Sequence, residues 1–454
     1  MSAFEHELDK FVATLADCQE RVYAKRKCTK ATIHGHEIYV TCTGIGTTHA
    51  ASTTTALCET MRPDCIIMCG SAGGLPGTKL YDLVVSNNIV DIDLYNLRVI
   101  LTGTPYEPCL TNPHTRKPIE REYSPHPTFL EICAASSLPD ISKGVIGVSN
   151  TFPTPKHFFA HITEARCAAI EMESSGVFNA ANFYDVPVVT VRAVSNLLDA
   201  EGNDLGTATD ALTKCSDRLT RYLTDLMPRL HDFEPVIAAK KKAEIEAIAA
   251  KYSLARHPEG GWYRQTHRSS ASVVVQGAAA DRYVATAEGG KSRSAGTSIV
   301  FMLEKGDFSA WHSVESDETW YFHEGEPLLL RVINPSTKEM KEIVLTPDAG
   351  IVQYTVPAGH IFSALSLGDY TVVGCAVSPG FDFAGFKLIS KVAFTRDYPM
   401  HTGLVELARD VPVASAAATA EGFSEAAYAL AVANNGSTVA NTALPPPASA
   451  AATV

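Results

Sequence analysis

Near residue 235 the periodicity of this 454-residue chain changes, and that change constrains the fold more than any single motif. Before it, apolar runs alternate with helix-like stretches. Ile38–Thr43, Cys65–Cys69, Leu83–Ser86, Gly144–Ser149 and Val186–Ala193 read as short buried strands. Helical segments at His49–Met61, Ala168–Tyr184 and Asp204–Asp232 lie between or after them. Such alternation predicts a largely parallel sheet covered by helices on both faces, an α/β fold. From His257 to Lys391 the pattern is different. Ser298–Leu303, Glu318–His323, Leu328–Ile333, Ile351–Val356 and Thr371–Val377 are closely spaced, with Gly/Pro turns, and predict an antiparallel, all-β barrel or sandwich.

At roughly 100–200 residues per domain, the length calls for two or three units. The expected boundaries are 1–232 for the α/β domain, 233–398 for the β barrel, and 399–454 for a low-complexity tail. Glu234-Pro235 ends the first region, and Lys240–Lys242 opens a short charged helix carrying Ile245, Ile248 and Tyr252 on one face. After about residue 411 the tail is rich in Ala, Ser and Pro and closes with LPPPASAAATV. Small side chains bury too little area to offset ordering entropy, so that end is expected to be disordered. The segment Thr102–Pro127 is long enough for a functional lid or a plain surface insertion.

Charge narrows the function. With 38 basic and 50 acidic residues the formal charge is −12, which argues against a nucleic-acid coat or an anionic-membrane binder. No apolar run reaches the roughly 18 residues that span a bilayer. MSAFEHELDKF is charged and amphipathic, unlike a secretory signal. The 11 cysteines show no CxxC pair and most fall in apolar stretches, which reads as reduced, buried thiols in a cytoplasmic protein.

Three segments carry chemistry. Cys69-Gly70-Ser71-Ala72-Gly73-Gly74-Leu75 follows an apolar strand, and its glycines let backbone approach a ligand and expose N–H donors. It lacks the GxGxxG spacing of dinucleotide sites, and a tight turn is the plain alternative. Gly44-Ile45-Gly46 forms a second such loop. In Ala169–Gly176, Glu171 and Glu173 flank Met172 where an apolar run turns into a helix. The two carboxylates are expected on different sides of the segment, one structural and one facing a site. Val191–Asn196 then places Arg192, Ser195 and Asn196 at a strand end, where open α/β sheets bind ligands.

Together TGIG (43–46), GSAGGL (70–75), DLVVS (82–86), SNTF (149–152), EMES (171–174) and VRAVSN (191–196) resemble the nucleoside phosphorylase and nucleosidase superfamily. Within it the likeness is to methylthioadenosine/S-adenosylhomocysteine nucleosidases, over about the first 230 residues. The resemblance implies a three-layer α/β sandwich around a mixed sheet. It also implies ribose and base contacts from Gly44, Ser71, Ala72 and Gly73, base stacking by Phe152, and ribose packing by Met172, with Glu171, Arg192 and Ser195 lining the site. Glu173 is implied to accept hydrogen bonds from ribose hydroxyls, bonds that strengthen as an oxocarbenium-like charge develops. Family nucleosidases keep a Glu after their first strand to activate water. Ala3–Leu8 resembles that segment and makes Glu7 the candidate base. The strand that precedes it in the family is not found, as if the chain started late or the sheet lacked it, and an exposed edge is expected.

Asn196 departs from the family's adenine-specific members, which carry an Asp there as general acid toward N7. An amide has no proton to deliver but donates and accepts hydrogen bonds, which points to a base with an oxo group: hypoxanthine, guanine or uracil. Asp199 is a substitute acid in a poorer place. Phosphorylases of the superfamily clamp phosphate with Arg, and one such position is Met68 here, which favours water as nucleophile. The expected function is a nucleoside N-glycosidase. The alternatives are a phosphate-dependent phosphorylase and a catalytically silent nucleoside-binding or storage protein. The expected partner is a small-molecule nucleoside in a homo-oligomer, with no cofactor and no metal.

The segment Gly306–Gly325 resembles the cupin motif GX5HXHX3–4EX6G through Gly306, His312, Glu318 and Gly325. The second His position is Val314. In the second motif, PXGX2H, the His position is Phe362. Apolar replacements cannot ligate a metal, and two ligands rarely hold a divalent ion, unless His323 or His360 points inward. With HPEGGWY (257–263), SDETW (316–320) and SPGFDF (378–383), residues 243–395 resemble small cupins likened to nucleotide-sugar epimerases. A pocket of His312, Glu318, Trp320, Tyr321 and Phe362 suits a small polar ring, unless these aromatics simply fill the barrel.

Overall fold

The computed structural model describes residues 1–23, 25–94, 122–151, 156, 159–207, 209–285 and 291–409. Phe152, most of Thr102–Pro127 and the tail from 410 lie outside the described residues. The chain divides into two compact units, Met1–Ala239 and a second beginning at Lys240.

The first unit contains strands β1 (Gln19–Tyr23), β2 (Arg26–Ile33), β3 (His36–Thr41), β4 (Ile66–Gly74), β5 (Leu83–Asp91), β6 (Glu122–Tyr123), β7 (Ile141–Val148), β8 (Cys167–Glu171), β9 (Val188–Leu198) and β10 (Asp204–Thr207). Its helices include α1 (Asp9–Val12), α2 (Thr47–Met61), α3 (Pro127–Ala134), α4 (Phe159–Glu164), α5 (Ser174–Asn182) and α6 (Ala211–Leu226). The main sheet runs β10-β9-β4-β8-β7-β5-β6, and a further β9–β5 pairing closes β4, β8, β7, β5 and β9 into a ring. It is mixed: β4/β9, β5/β7 and β7/β8 are parallel, whereas β4/β8 and β5/β9 are antiparallel. Helix α6 shows why helices cover it. Ala211, Cys215, Leu219, Tyr222 and Leu226 form one buried stripe, packed with Leu83, Val85, Val189 and Val191.

The glycine-rich segment is not a turn: β4 continues to Gly74. Glycine is needed because a Cβ at Gly70 would overlap Arg192 Nη1 and stand 2.8 Å from Glu7 Oε1. A Cβ at Gly176, in the first turn of α5, would overlap the carbonyl oxygen of Thr47, so α5 packs closely against the start of α2. The polar hairpin β1–β2, continued into β3, was not visible as strand in the sequence. The edge expected to be exposed is met by the first residues. Cys69 N–H donates to Met1 O at 2.7 Å, and Ser2 bridges to Cys42.

After α7 (Glu234–Lys251), the second unit contains β11 (Ala255–Arg256), β12 (Trp262–Arg268), β13 (Ser272–Val274), β14 (Ser292–Ser294), β15 (Thr297–Glu304), β16 (Phe308–Ser313), β17 (Asp317–Gly325), β18 (Leu328–Ile333), β19 (Met340–Leu345), β20 (Gln353–Val356), β21 (Ile361–Ser366), β22 (Tyr370–Ser378) and β23 (Lys387–Leu388), then α8 (Lys391–Asp397). Two antiparallel sheets, β11-β12-β15-β22-β17-β20 and β19-β18-β21-β16-β23, enclose a core of Phe301, Trp320, Leu330, Phe362 and Val373. This is the all-β cupin architecture. Residues 399–409 are not part of a loose tail. Pro399–Leu407 forms 3-10 turns, and Trp311 Nε1 donates to Leu404 O at 3.0 Å, because Leu404, Val405 and Leu407 cover Trp311. The described cysteines are free thiols and, apart from exposed Cys18, at least partly buried. Among the described residues no helix is long and apolar enough to cross a membrane.

Candidate active site

The end of β8 meets a guanidinium carried mid-strand by β9. Glu171 closes β8, and α5 begins at Ser174. Glu171 Oε2 accepts from Glu173 N at 2.9 Å, and Oε1 accepts from Ser174 N at 2.9 Å, so its carboxylate satisfies amides at the start of α5. Arg192 on β9 is wholly buried. Its Nη2 donates to Glu171 and reaches Glu173 Oε2 at 3.3 Å. The two carboxylates do not face different sides: residues two apart in an extended chain share a face, and both meet the same cation. Arg192 Nε and Nη1 meet no hydrogen-bond partner among the described residues.

Glu173 Oε1 accepts the amide hydrogen of Gly46 at 3.0 Å. Burial, with the charge of Glu171 added, pushes Glu173 up to about 7 against the pull of Arg192. Gly46 (φ 89°) carries a conformation suited to glycine, and Asn150 Oδ1, which accepts from Thr47 N at 2.9 Å, lies beside it.

Glu7 comes from the opposite direction. It sits in a short 3-10 turn, 5% exposed, and Oε2 accepts from Ala3 N and Phe4 N at 3.1 and 3.2 Å. Oε1 accepts from Ser71 N at 2.6 Å and Ser71 Oγ at 2.9 Å. Glu7 also contributes, after Glu171 and Glu173, to the field that keeps Arg192 charged. The structure thus links Glu7, Ser71, Arg192, Glu171 and Glu173 in one cluster.

The remaining predicted residues border it. Ser195 Oγ donates to Ala72 O at 3.2 Å and to Asn196 Oδ1 at 3.1 Å. Asn196 pairs with Gly73 across β9 and β4, just after a register shift, and is half-buried. Gly44 (φ 82°) packs beside His49, and Met172 is half-buried. Asp199 is poorly suited to acid chemistry. The Asn203 side chain, then the Asn203 amide, bind its carboxylate and hold it below the usual range. Sequence reading overlooked Gly46, Gly70 and Asn150 as site residues, although TGIG and SNTF contain two of them. It also overlooked Asp91, which accepts from Ser175 Oγ at 2.8 Å and is raised by burial.

In the second unit, His312 on β16 pairs with Phe362 on β21, their rings 4.0 Å apart. Val314 lies in the same core, and His323 lies exposed, stacked against Gly374. Glu318 on β17 is buried and pushed up to about 7 by desolvation. Tyr321 is 38% exposed and turns away from the core that holds Trp320, so it is not a pocket residue. The partners His312 does gain come from the HPEGG segment. Glu259 Oε2 lies 3.4 Å from His312 Nε2 and 3.6 Å from His257 Nδ1, and Glu259 Oε1 accepts from Ser309 Oγ. His312 Nδ1 is 2.7 Å from Ala310 O, so it carries the proton, and Nε2 faces Glu259 with its lone pair. Burial lowers His257 to about 3 and His312 to about 4, and raises Glu259 well above its usual value. Burial thus favours the uncharged form of all three groups. With valine and phenylalanine at two ligand positions, it does not fit the four-ligand metal set of cupins.

A family model described as Phosphorylase superfamily matches residues 1–227, and one described as Cupin superfamily (DUF985) matches residues 246–389. A 5'-methylthioadenosine/S-adenosylhomocysteine nucleosidase of Geobacillus sp. (strain WCH70) is 29% identical over 212 residues, 45% of this chain and 86% of the relative. A solved Shewanella oneidensis protein is 33% identical, covering 37% of this chain and 98% of its own, with a TM-score of 0.31. The Streptococcus pneumoniae MTA/SAH nucleosidase, solved with 8-aminoadenine, is 21% identical and covers 50% of this chain and 97% of its own, with a TM-score of 0.42.

Proposed function

The chain belongs to the phosphorylase superfamily through residues 1–227 and carries a cupin unit behind it, and from that premise we propose that the first unit is a nucleoside N-glycosidase using water. The observation that carries this reading is Glu173, a buried carboxylate held between the Gly46 amide and Arg192. Ionised, it accepts hydrogen bonds from ribose hydroxyls and stabilises positive charge on the ring as the C–N bond stretches. Glu7, oriented by Ser71, takes a proton from water as its oxygen bonds to C1′. The base departs with the electron pair of the broken bond and is protonated from solvent. Ser71, Ala72 and Gly73 line the ribose and base.

Water is favoured over phosphate by charge. Glu7, Glu171 and Glu173 surround the single Arg192 guanidinium, so an incoming dianion meets net repulsion. Met68, where a phosphate-clamping Arg stands in phosphorylases, is buried in the core. Asn196 favours a 6-oxopurine or uracil, because its amide pairs with an oxo-bearing base but has no acid to give N7 of an aminopurine. Cleavage at the level of a purine nucleoside is what this chain shares with its nucleosidase relatives on this reading. A nucleoside panel assayed for free base tests it, with faster release from inosine than from methylthioadenosine expected. The reverse order would sink the oxo-base assignment.

Asn196 and the locked Asp199 carboxylate also favour a second reading, a nucleoside-binding protein without turnover. Tight nucleoside binding with no base released would select it. For the second unit, His312, Glu318, Trp320 and Phe362 support a site for a small polar ring. Trp320 Nε1 is buried without a partner among the described residues and is available to donate.

A further inference from the structure

Away from the candidate active site, His36 at the start of β3 and His231 and Glu234 at the entry to α7 bring ligand atoms within 4.8 Å of one another. His231 Nδ1 is 2.9 Å from Glu234 Oε1, and His36 Nδ1 is 3.9 Å from the same oxygen. The imidazole rings are 4.6 Å apart between centroids. His36 follows the tight turn His34–Gly35, whose φ values of 50° and 83° carry the chain from β2 back into β3. Its Nε2 is buried and meets no hydrogen-bond partner among the described residues. Its Nδ1 stops beyond hydrogen-bond reach of Glu234.

This donor set has the dimensions of a metal site. Around a tetrahedral ion with bonds of about 2.0–2.1 Å, ligand atoms stand roughly 3.3 Å apart. The two separations from Glu234, 2.9 Å to His231 and 3.9 Å to His36, bracket that value. Two imidazoles and a carboxylate suit zinc and its neighbours rather than magnesium or calcium.

We infer that the first unit binds a divalent transition-metal ion of the zinc class through His36, His231 and Glu234. The ion joins the β2–β3 hairpin to the start of α7, with water completing its coordination. It lies apart from the glycosidase chemistry and takes no step in it.

The test is titration of the chelator-treated full chain with Zn²⁺ by calorimetry and with Co²⁺ by absorbance. One ion per chain is expected, with visible d–d bands, no thiolate charge-transfer band, and a higher melting temperature with Zn²⁺. His231→Gln and Glu234→Gln, both at exposed positions, should each weaken binding more than about tenfold and remove the thermal shift. Affinity unchanged in both variants, or a thiolate band lost in Cys18→Ser, overturns the assignment, as does failure to bind.

Discussion

Arg192 Nη2 lies 3.3 Å from Glu173 Oε2 while also binding Glu171, so one buried guanidinium holds two carboxylates in register. Removing it leaves both without a cation, with only backbone amides as partners. Arg192→Met is expected to cost about 3–5 kcal/mol, because an uncompensated buried charge is expensive. Arg192→Lys should recover only part, since a single ammonium lacks the planar fork. Urea unfolding measures this, and a loss below about 1 kcal/mol for Arg192→Met would show that the cluster is not held by the pair.

Glu173 supplies a pH signature. Its carboxyl is raised to about 7, and the ionised form is the one that accepts ribose hydroxyls. Activity (kcat/KM) should therefore rise with pH through about 7. The residual rate of Glu173→Gln should lack that limb. A wild-type profile flat from pH 5.5 to 8 contradicts the role.

Asn196 sets the base on this account. Asn196→Asp introduces an ionisable group beside Ser195 and should shift relative kcat/KM toward 6-aminopurine nucleosides by about tenfold or more. An unchanged ratio of inosine to methylthioadenosine turnover would remove Asn196 from base recognition.

Gly70→Ala tests the close approach of β4 to the cluster. The new methyl would overlap Arg192 Nη1 and crowd Glu7 Oε1, so base release should fall by on the order of 10²-fold with the fold retained by circular dichroism. Activity within about twofold of wild type would show that neither group needs its present position.

In the second unit, Glu318 has a folded-state value of about 7 against an ordinary 4.5. The folded chain keeps this proton after the unfolded chain has lost it. Stability from this group is therefore full below pH 4.5, falls as pH rises to 7, and is level above. Glu318→Gln should reduce the drop in stability between pH 5 and pH 8, by up to about 3 kcal/mol. Calorimetry at the two pH values checks it, and an unchanged difference would show that Glu318 is ionised in the folded state.

Much of the fold was legible because apolar runs mark buried strands. Leu328–Ile333 falls where expected, and Cys65–Cys69 overlaps the first half of β4. The hairpin from Gln19 to Ile33 was not legible, since QERVY is mostly exposed and shows no alternation. In the site, EMES and VRAVSN marked Glu171, Glu173 and Arg192, but not that both carboxylates would meet the one buried cation that β9 carries. The contact of Glu7 with Ser71 is fixed by tertiary packing, which no local spacing records. Glu259 was hidden similarly. HPEGG has no metal-ligand spacing, and only the barrel brings it to His312.

The central claim is that Glu173 anchors a water-dependent glycosidase site. Its most direct test is incubation of the full chain with inosine in phosphate-free buffer, quantifying hypoxanthine and free ribose together. The account predicts equal amounts of both, without added phosphate, and a loss on the order of 10²-fold in Glu173→Gln. Base release that requires phosphate and yields a sugar phosphate, or full activity in Glu173→Gln, would contradict it.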